Sequence, residues 1–125
     1  MPITKPPTPR LLALVLAGGA VGSSIRLGVV SLLPSDGFPW GVLAVNLAGA
    51  AVVGAMIPRL RGRRGAMAFW VVGVGGAATT FSALTVDAVT MWEAGRAATT
   101  VWYLTLSVLG GVVAAAVGIR TRRWR

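Results

Sequence analysis

The run Gly73-Val74-Gly75-Gly76-Ala77-Ala78-Thr79-Thr80-Phe81-Ser82 decides how this chain is read. It sits inside a long apolar stretch. Three glycines in four residues, then two adjacent threonines, disfavour a continuous helix. In lipid, a break frees backbone N–H and C=O groups that protein, an ion or water must satisfy. Half-helix carbonyl ends suit a cation, and half-helix N–H ends suit an anion. The competing reading is a glycine-rich packing stretch in an intact helix, since glycine is common in membrane spans.

The stretch around this run is one of four. A membrane helix needs about 20 mostly apolar residues. Segments 11–33, 40–57, 66–92 and 98–119 meet that requirement, which predicts a single integral membrane domain over 1–125 with a basic tail at 120–125. The connectors are short. Residues 34–39 are turn-rich, 58–65 form a basic loop, and Glu93-Ala94-Gly95-Arg96 is the third. The leader Met1 to Arg10 is proline-rich and reads as disordered. A cleaved signal peptide is the alternative for the first span, but its apolar stretch outruns the usual h-region of about 7–15 residues.

Composition supports the membrane reading. Hydrophobic residues make up 55% of the 125 and charged residues only 12%, against about a quarter in soluble domains. The absence of Cys removes disulfides and thiolate chemistry, and the absence of His removes the usual general base. With no paired carboxylates either, an enzyme is disfavoured. The net charge of +9 raises nucleic acid as a partner, but the basic residues flank the apolar spans, where anionic lipid headgroups explain them better.

Their distribution orients the chain. Lys5, Arg10, Arg59, Arg61, Arg63, Arg64, Arg120, Arg122, Arg123 and Arg125 share one side of a four-span topology; Arg96 stands alone on the other. The positive-inside rule predicts a multi-pass protein of the cell (inner) membrane with cytoplasmic N- and C-termini.

Small and polar residues complete the pattern. Gly18, Gly22 and Arg26 recur every four residues on one face of the first span, as do Gly110, Ala114 and Gly118 on the fourth. Such spacing lets helices approach closely in lipid. Arg26, Asn46, Ser82, Thr85, Asp87 and Ser107 are polar residues in or near the spans, costly there unless they face water, protein or a partner. Asn46 is open to two readings, an inter-helix hydrogen bond or a pore-lining group. Arg26 and Asp87 also read as interfacial, because both lie near span ends and Arg26 can snorkel.

Three motifs together resemble the Fluc (CrcB) fluoride channels: Gly18-Gly19-Ala20-Val21-Gly22-Ser23-Ser24-Ile25-Arg26, Gly41-Val42-Leu43-Ala44-Val45-Asn46-Leu47-Ala48-Gly49, and Gly75-Gly76-Ala77-Ala78-Thr79-Thr80-Phe81-Ser82 followed by Asp87. The resemblance covers nearly the whole chain. It implies an all-α fold of four transmembrane helices, the third broken mid-membrane, assembled as an antiparallel dimer with two narrow pores. It implies a central structural Na⁺, not transported, held by the main-chain carbonyls of Gly76 and Thr79. It implies an anion path past Asn46, Phe81, Ser82, Leu84 and Ser107, with Arg26 and Asp87 as vestibule or structural charges. The implied activity is passive, selective fluoride efflux that lowers cytoplasmic fluoride.

The physics suits that role. A fluoride pore must replace water with donors without holding the ion too tightly. An Asn amide and Ser hydroxyls donate, and a Phe ring has a positive edge. The chain departs from the family at Leu84, where a second Phe is expected, and at Gly111 and Ala115, where hydroxyls are common. The ten-to-one charge bias matters too. A dual-topology homodimer needs a nearly neutral bias, so this chain is expected to pair with an oppositely oriented paralogue. The alternatives are a non-conducting partner subunit and a small four-helix multidrug exporter. The exporter lacks support, because the first span carries no carboxylate.

Overall fold

A computed structural model of the chain describes residues 6–33 and 35–121. The described residues are helical, with turns between. Helix α1 is Pro9–Leu32 and α2 is Trp40–Arg59. Helix α3 covers 64–78 and α4 is Phe81–Glu93. Helix α5 is Ala97–Arg120. Four segments are long and apolar enough to cross a membrane: α1, α2, the α3–α4 pair as Arg64–Glu93, and α5. At 24 residues each, α1 and α5 extend roughly 36 Å at the helical rise of 1.5 Å per residue.

Helix ends differ from the sequence reading: Arg64 and Gly65, read in the basic loop, open α3, Glu93, read in the third connector, closes α4, and two further ends shift. The leader reads as disordered through Arg10, yet α1 starts at Pro9, with Thr8 Oγ1 accepting from the Leu11 N–H at 3.4 Å. Thr8 is a good N-cap and Pro9 fits the first helical position, where its missing N–H costs nothing. Residues 1–5 of that leader and 122–125 of the basic tail lie outside the described residues. At the second correction, Pro58 and Arg59 belong to α2, not to the basic loop. Arg59 holds this last turn, donating to Ala55 O at 2.6 Å and to Thr121 Oγ1 at 3.0 Å across the end of α5. The three connections each contain a glycine of positive φ: Gly37, Gly62 and Gly95.

Close backbone approach builds two helix pairs. On one side α1 packs along α3. A Cβ on Gly18 would collide with the Phe69 carbonyl, and one on Gly22 with the Val74 carbonyl. On the other side α2 packs along α5. There Gly54 lies over the Ala115 carbonyl and Gly118 over that of Ala51. Between Met67 and Gly75, α3 winds as a π-helix, a rare form that recurs at functional sites. This segment is wedged tightly: a Cβ on Gly73 would meet Val15 and Gly18, and one on Gly75 would meet the Val53 side chain.

Helix α4 changes partners. Its Leu84, Ala88 and Met91 join Val42 and Leu43 of α2 and Tyr103 of α5 in one buried cluster. The crossing from the α1 side to the α2–α5 side happens at Thr79 and Thr80. Both are extended, with φ/ψ of −81°/148° and −146°/120°.

Substituting Gly22 tests the α1–α3 pair. Gly22→Val forces the Val74 carbonyl away and should cost about 1–3 kcal/mol, the usual range for overpacking. Gly111→Ala is the contrast, since its Cβ would meet nothing within 4 Å. Thermal unfolding in detergent should show a clear loss for the first and none for the second.

Candidate functional site

The extended pair Thr79–Thr80 is where polar groups gather. In an extended residue the N–H and C=O lie on the same side, so one primary amide can meet both. Asn46 of α2 does so. Thr80 N–H donates to Asn46 Oδ1 at 2.8 Å, and Asn46 Nδ2 donates to Thr80 O at 3.1 Å. The inter-helix hydrogen bond weighed for Asn46 in the sequence is therefore present, and it is two-pointed. One N–H of the carboxamide is left over, because the group carries two donors.

The Thr80 side chain caps α4. Its Oγ1 accepts from Ala83 N–H at 3.2 Å and lies 3.1 Å from Ser82 Oγ. Thr79 Oγ1 folds back to donate to Gly75 O at 2.9 Å. Thr85 Oγ1 donates to Ser82 O at 2.9 Å.

A cavity of about 320 Å³ opens beside these groups, and Asn46, Thr79, Thr80, Phe81, Leu84 and Ser107 line it. The structure therefore brings together four of the five residues assigned to the anion path. The fifth, Ser82, is not in the lining; its hydroxyl is engaged with Thr80. The two ring positions sit in opposite surroundings. Phe81 is 79% exposed on the rim, while Leu84 is 6% exposed and part of the core. Ser107 Oγ donates to Tyr103 O at 2.7 Å.

Arg26 is not in this cavity. It lines a neighbouring one of about 310 Å³ with Ser23, Val42 and Thr80. Thr80 is thus the wall between the two. Asp87 lies farther along α4 and accepts from Tyr103 Oη at 3.1 Å. It shares a third, smaller cavity with Arg96, which donates to Gly37 O and ties the α1–α2 connection to the start of α5. Sequence reasoning missed Tyr103, although a tyrosine inside an apolar span signals a need for a polar partner.

The break also leaves main-chain oxygens that bear on a monovalent cation. A continuous helix would direct Thr80 N–H to Gly76 O and Ala83 N–H to Thr79 O. Here Asn46 Oδ1 takes the first N–H and Thr80 Oγ1 takes the second. Gly76 and Thr79 are therefore left with main-chain carbonyls short of their helical donors, and Gly76 is exposed. Neutral oxygen ligands of this kind fit a hard cation.

These features define a class: a small multi-pass membrane protein whose third span is interrupted at a polar site. Residues 13–119 match the family described as CrcB-like protein, Camphor Resistance (CrcB), and the chain belongs to that family. The fluoride-specific ion channel FluC of Agrobacterium fabrum is 37% identical over 119 residues, covering 90% of this chain and 95% of that protein. The FluC of Paracoccus denitrificans is 39% identical over 113 residues, covering 87% and 91%. That of Xanthomonas euvesicatoria pv. vesicatoria is 36% identical over 120 residues, covering 90% of each.

Tyr103 is fully buried, so the Asp87 contact is open to a direct check. Tyr103→Phe removes the donor and leaves the carboxylate short of a partner, at an expected cost of about 1–3 kcal/mol. Thermal unfolding of the two proteins in the same detergent measures it.

Proposed function

We propose that the chain is a subunit of a fluoride-specific channel that lowers cytoplasmic fluoride by passive, selective efflux. The observation that carries this is the likeness, along nearly its whole length, to proteins named as fluoride-specific ion channels. The site adds a chemical rationale. The spare Asn46 N–H and the positive edge of Phe81 are donors suited to a small, strongly hydrated anion. Ser107 serves the same path by turning its hydroxyl away from Tyr103 O. No step makes or breaks a covalent bond, in keeping with a chain that has neither Cys nor His.

In this reading Gly76 and Thr79 would hold a structural Na⁺ through their main-chain carbonyls. When bound, that ion would supply fixed positive charge near the anion path. The termini face the cytoplasm of the inner membrane, following the basic bias of the N-terminus, the α2–α3 connection and the C-terminus. The same bias favours a single insertion direction. The partner in an antiparallel dimer is then an oppositely oriented paralogue, with a homodimer the less favoured assembly. Membrane lipids are the remaining partners, and nucleic acid is not one.

A second reading, a non-conducting partner subunit, draws on two observations. Leu84 occupies a core position where a second ring would be needed, and Gly111 leaves open space where a hydroxyl would stand. A multidrug exporter gains nothing from the site.

Fluoride efflux from liposomes, with chloride as control, separates these. The chain with its oppositely oriented paralogue should release fluoride and retain chloride. Efflux from the chain alone, with both orientations present, would overturn the heterodimer. No release in either arm would favour the non-conducting reading. A hydrogen bond to an ion contributes about 1.5–3 kcal/mol, so Asn46→Ala should slow efflux roughly 10- to 100-fold.

A further inference from the structure

We infer that Asn46 is a positioning residue for the cation cradle, and that it acts by holding Thr80 extended. The inference deepens the Na⁺ reading above and rests on it. It also gives one side chain two tasks, because the same carboxamide lines the cavity assigned to the anion.

Selectivity for one backbone state is the core of the argument. In an α-helix the N–H and C=O of a residue point in opposite directions along the axis, so a single amide cannot reach both. In an extended residue they point the same way. The paired distances of 2.8 and 3.1 Å therefore require the ψ of 120° seen at Thr80. The amide does more than tolerate the break; it favours the broken form over the helical one.

The consequence falls on Gly76. Its carbonyl lacks its helical donor because Asn46 Oδ1 has captured Thr80 N–H. Removing the amide returns that N–H to Gly76 O and closes the cradle. Thr80 Oγ1 performs the parallel task for Thr79 by capturing Ala83 N–H. Fixed positions elsewhere hold Asn46 in place. Gly49, one turn along α2, lies against the Thr79 methyl so closely that a Cβ would collide with it. The α2 backbone is thereby pressed onto the break.

Two readouts on the full chain in nanodiscs test this, neither of them ion flux. One is the backbone chemical shift of Thr80, which separates an extended from a helical residue. The other is the Na⁺ concentration at the midpoint of cation-dependent thermal stabilisation. Groups that orient metal ligands typically change metal affinity by about 10–100-fold when removed. Asn46→Ala should therefore move the Thr80 resonances from extended towards helical values and raise the Na⁺ midpoint by at least about tenfold. Thr80→Val, which keeps the side-chain shape, should also raise the midpoint. Thr105→Ala, an exposed hydroxyl elsewhere on α5, should leave it unchanged and sets the baseline. If Asn46→Ala fails to fold, Asn46→Leu, which keeps the side-chain volume and loses both hydrogen bonds, carries the test. An unchanged midpoint in the folded variants would overturn the inference. A wild-type chain with no response to Na⁺ would overturn it together with the cation reading, while the liposome assay judges the fluoride reading separately.

Discussion

The two-point hydrogen bond between the Asn46 carboxamide and the Thr80 backbone is the constraint on which the rest of the structure turns. Inside a membrane an unpaired backbone group costs several kcal/mol, so helices do not break without a substitute partner. Asn46 supplies that partner from a different helix. Because Asn46 satisfies Thr80 at the break, the third span can begin against α1 and end against α2 and α5. A straight helix could not serve both neighbours. The change of partner brings Leu84 into the core beside Tyr103 and leaves Phe81 on the open rim of the cavity.

Around that point the packing follows from residue size. The α1–α3 and α2–α5 pairs both meet backbone to backbone through glycine. Lipid gives helices no hydrophobic reason to associate, so close contact is the available source of attraction. Cavities next to Asn46 and next to Arg26 open on either side of Thr80, where the third span changes partners.

Much of this was legible in the sequence, for identifiable reasons. Four spans stand out because hydropathy is additive over a long window. The Gly-Gly-Ala-Ala-Thr-Thr run announces itself through propensity, and the family motifs gather on three spans in order. The two-point role of Asn46 was not legible, because it depends on the relative height of α2 and the break. The π-winding of Met67–Gly75 carries no propensity signal. The placement of Ser82 outside the cavity follows from the helical phase of α4 after its cap. That phase is set by Thr80, whose hydroxyl the sequence showed only as one of two threonines. The Asp87–Tyr103 contact spans two helices and needs the tertiary fold to appear. Pro58 reads as a breaker, yet it is tolerated near the helix end, where Arg59 bonds to Ala55 and Thr121 hold the last turn.

The departures from the family pattern carry unequal weight once the fold is known. Leu84 is part of the cluster that anchors α4, so its side chain already has a packing task that an aromatic ring would have to share. Gly111 has no such task, because the space beside it is open. Ala115 lies between these cases: its carbonyl is the surface on which Gly54 rests, so the backbone at this position is fixed while its side chain is only half-buried. In the proposed dimer, the missing second ring is therefore a property of this chain's core, whereas the missing hydroxyl at Gly111 is a property of its surface. A partner subunit that brings its own polar groups can offset the second but cannot rebuild the first.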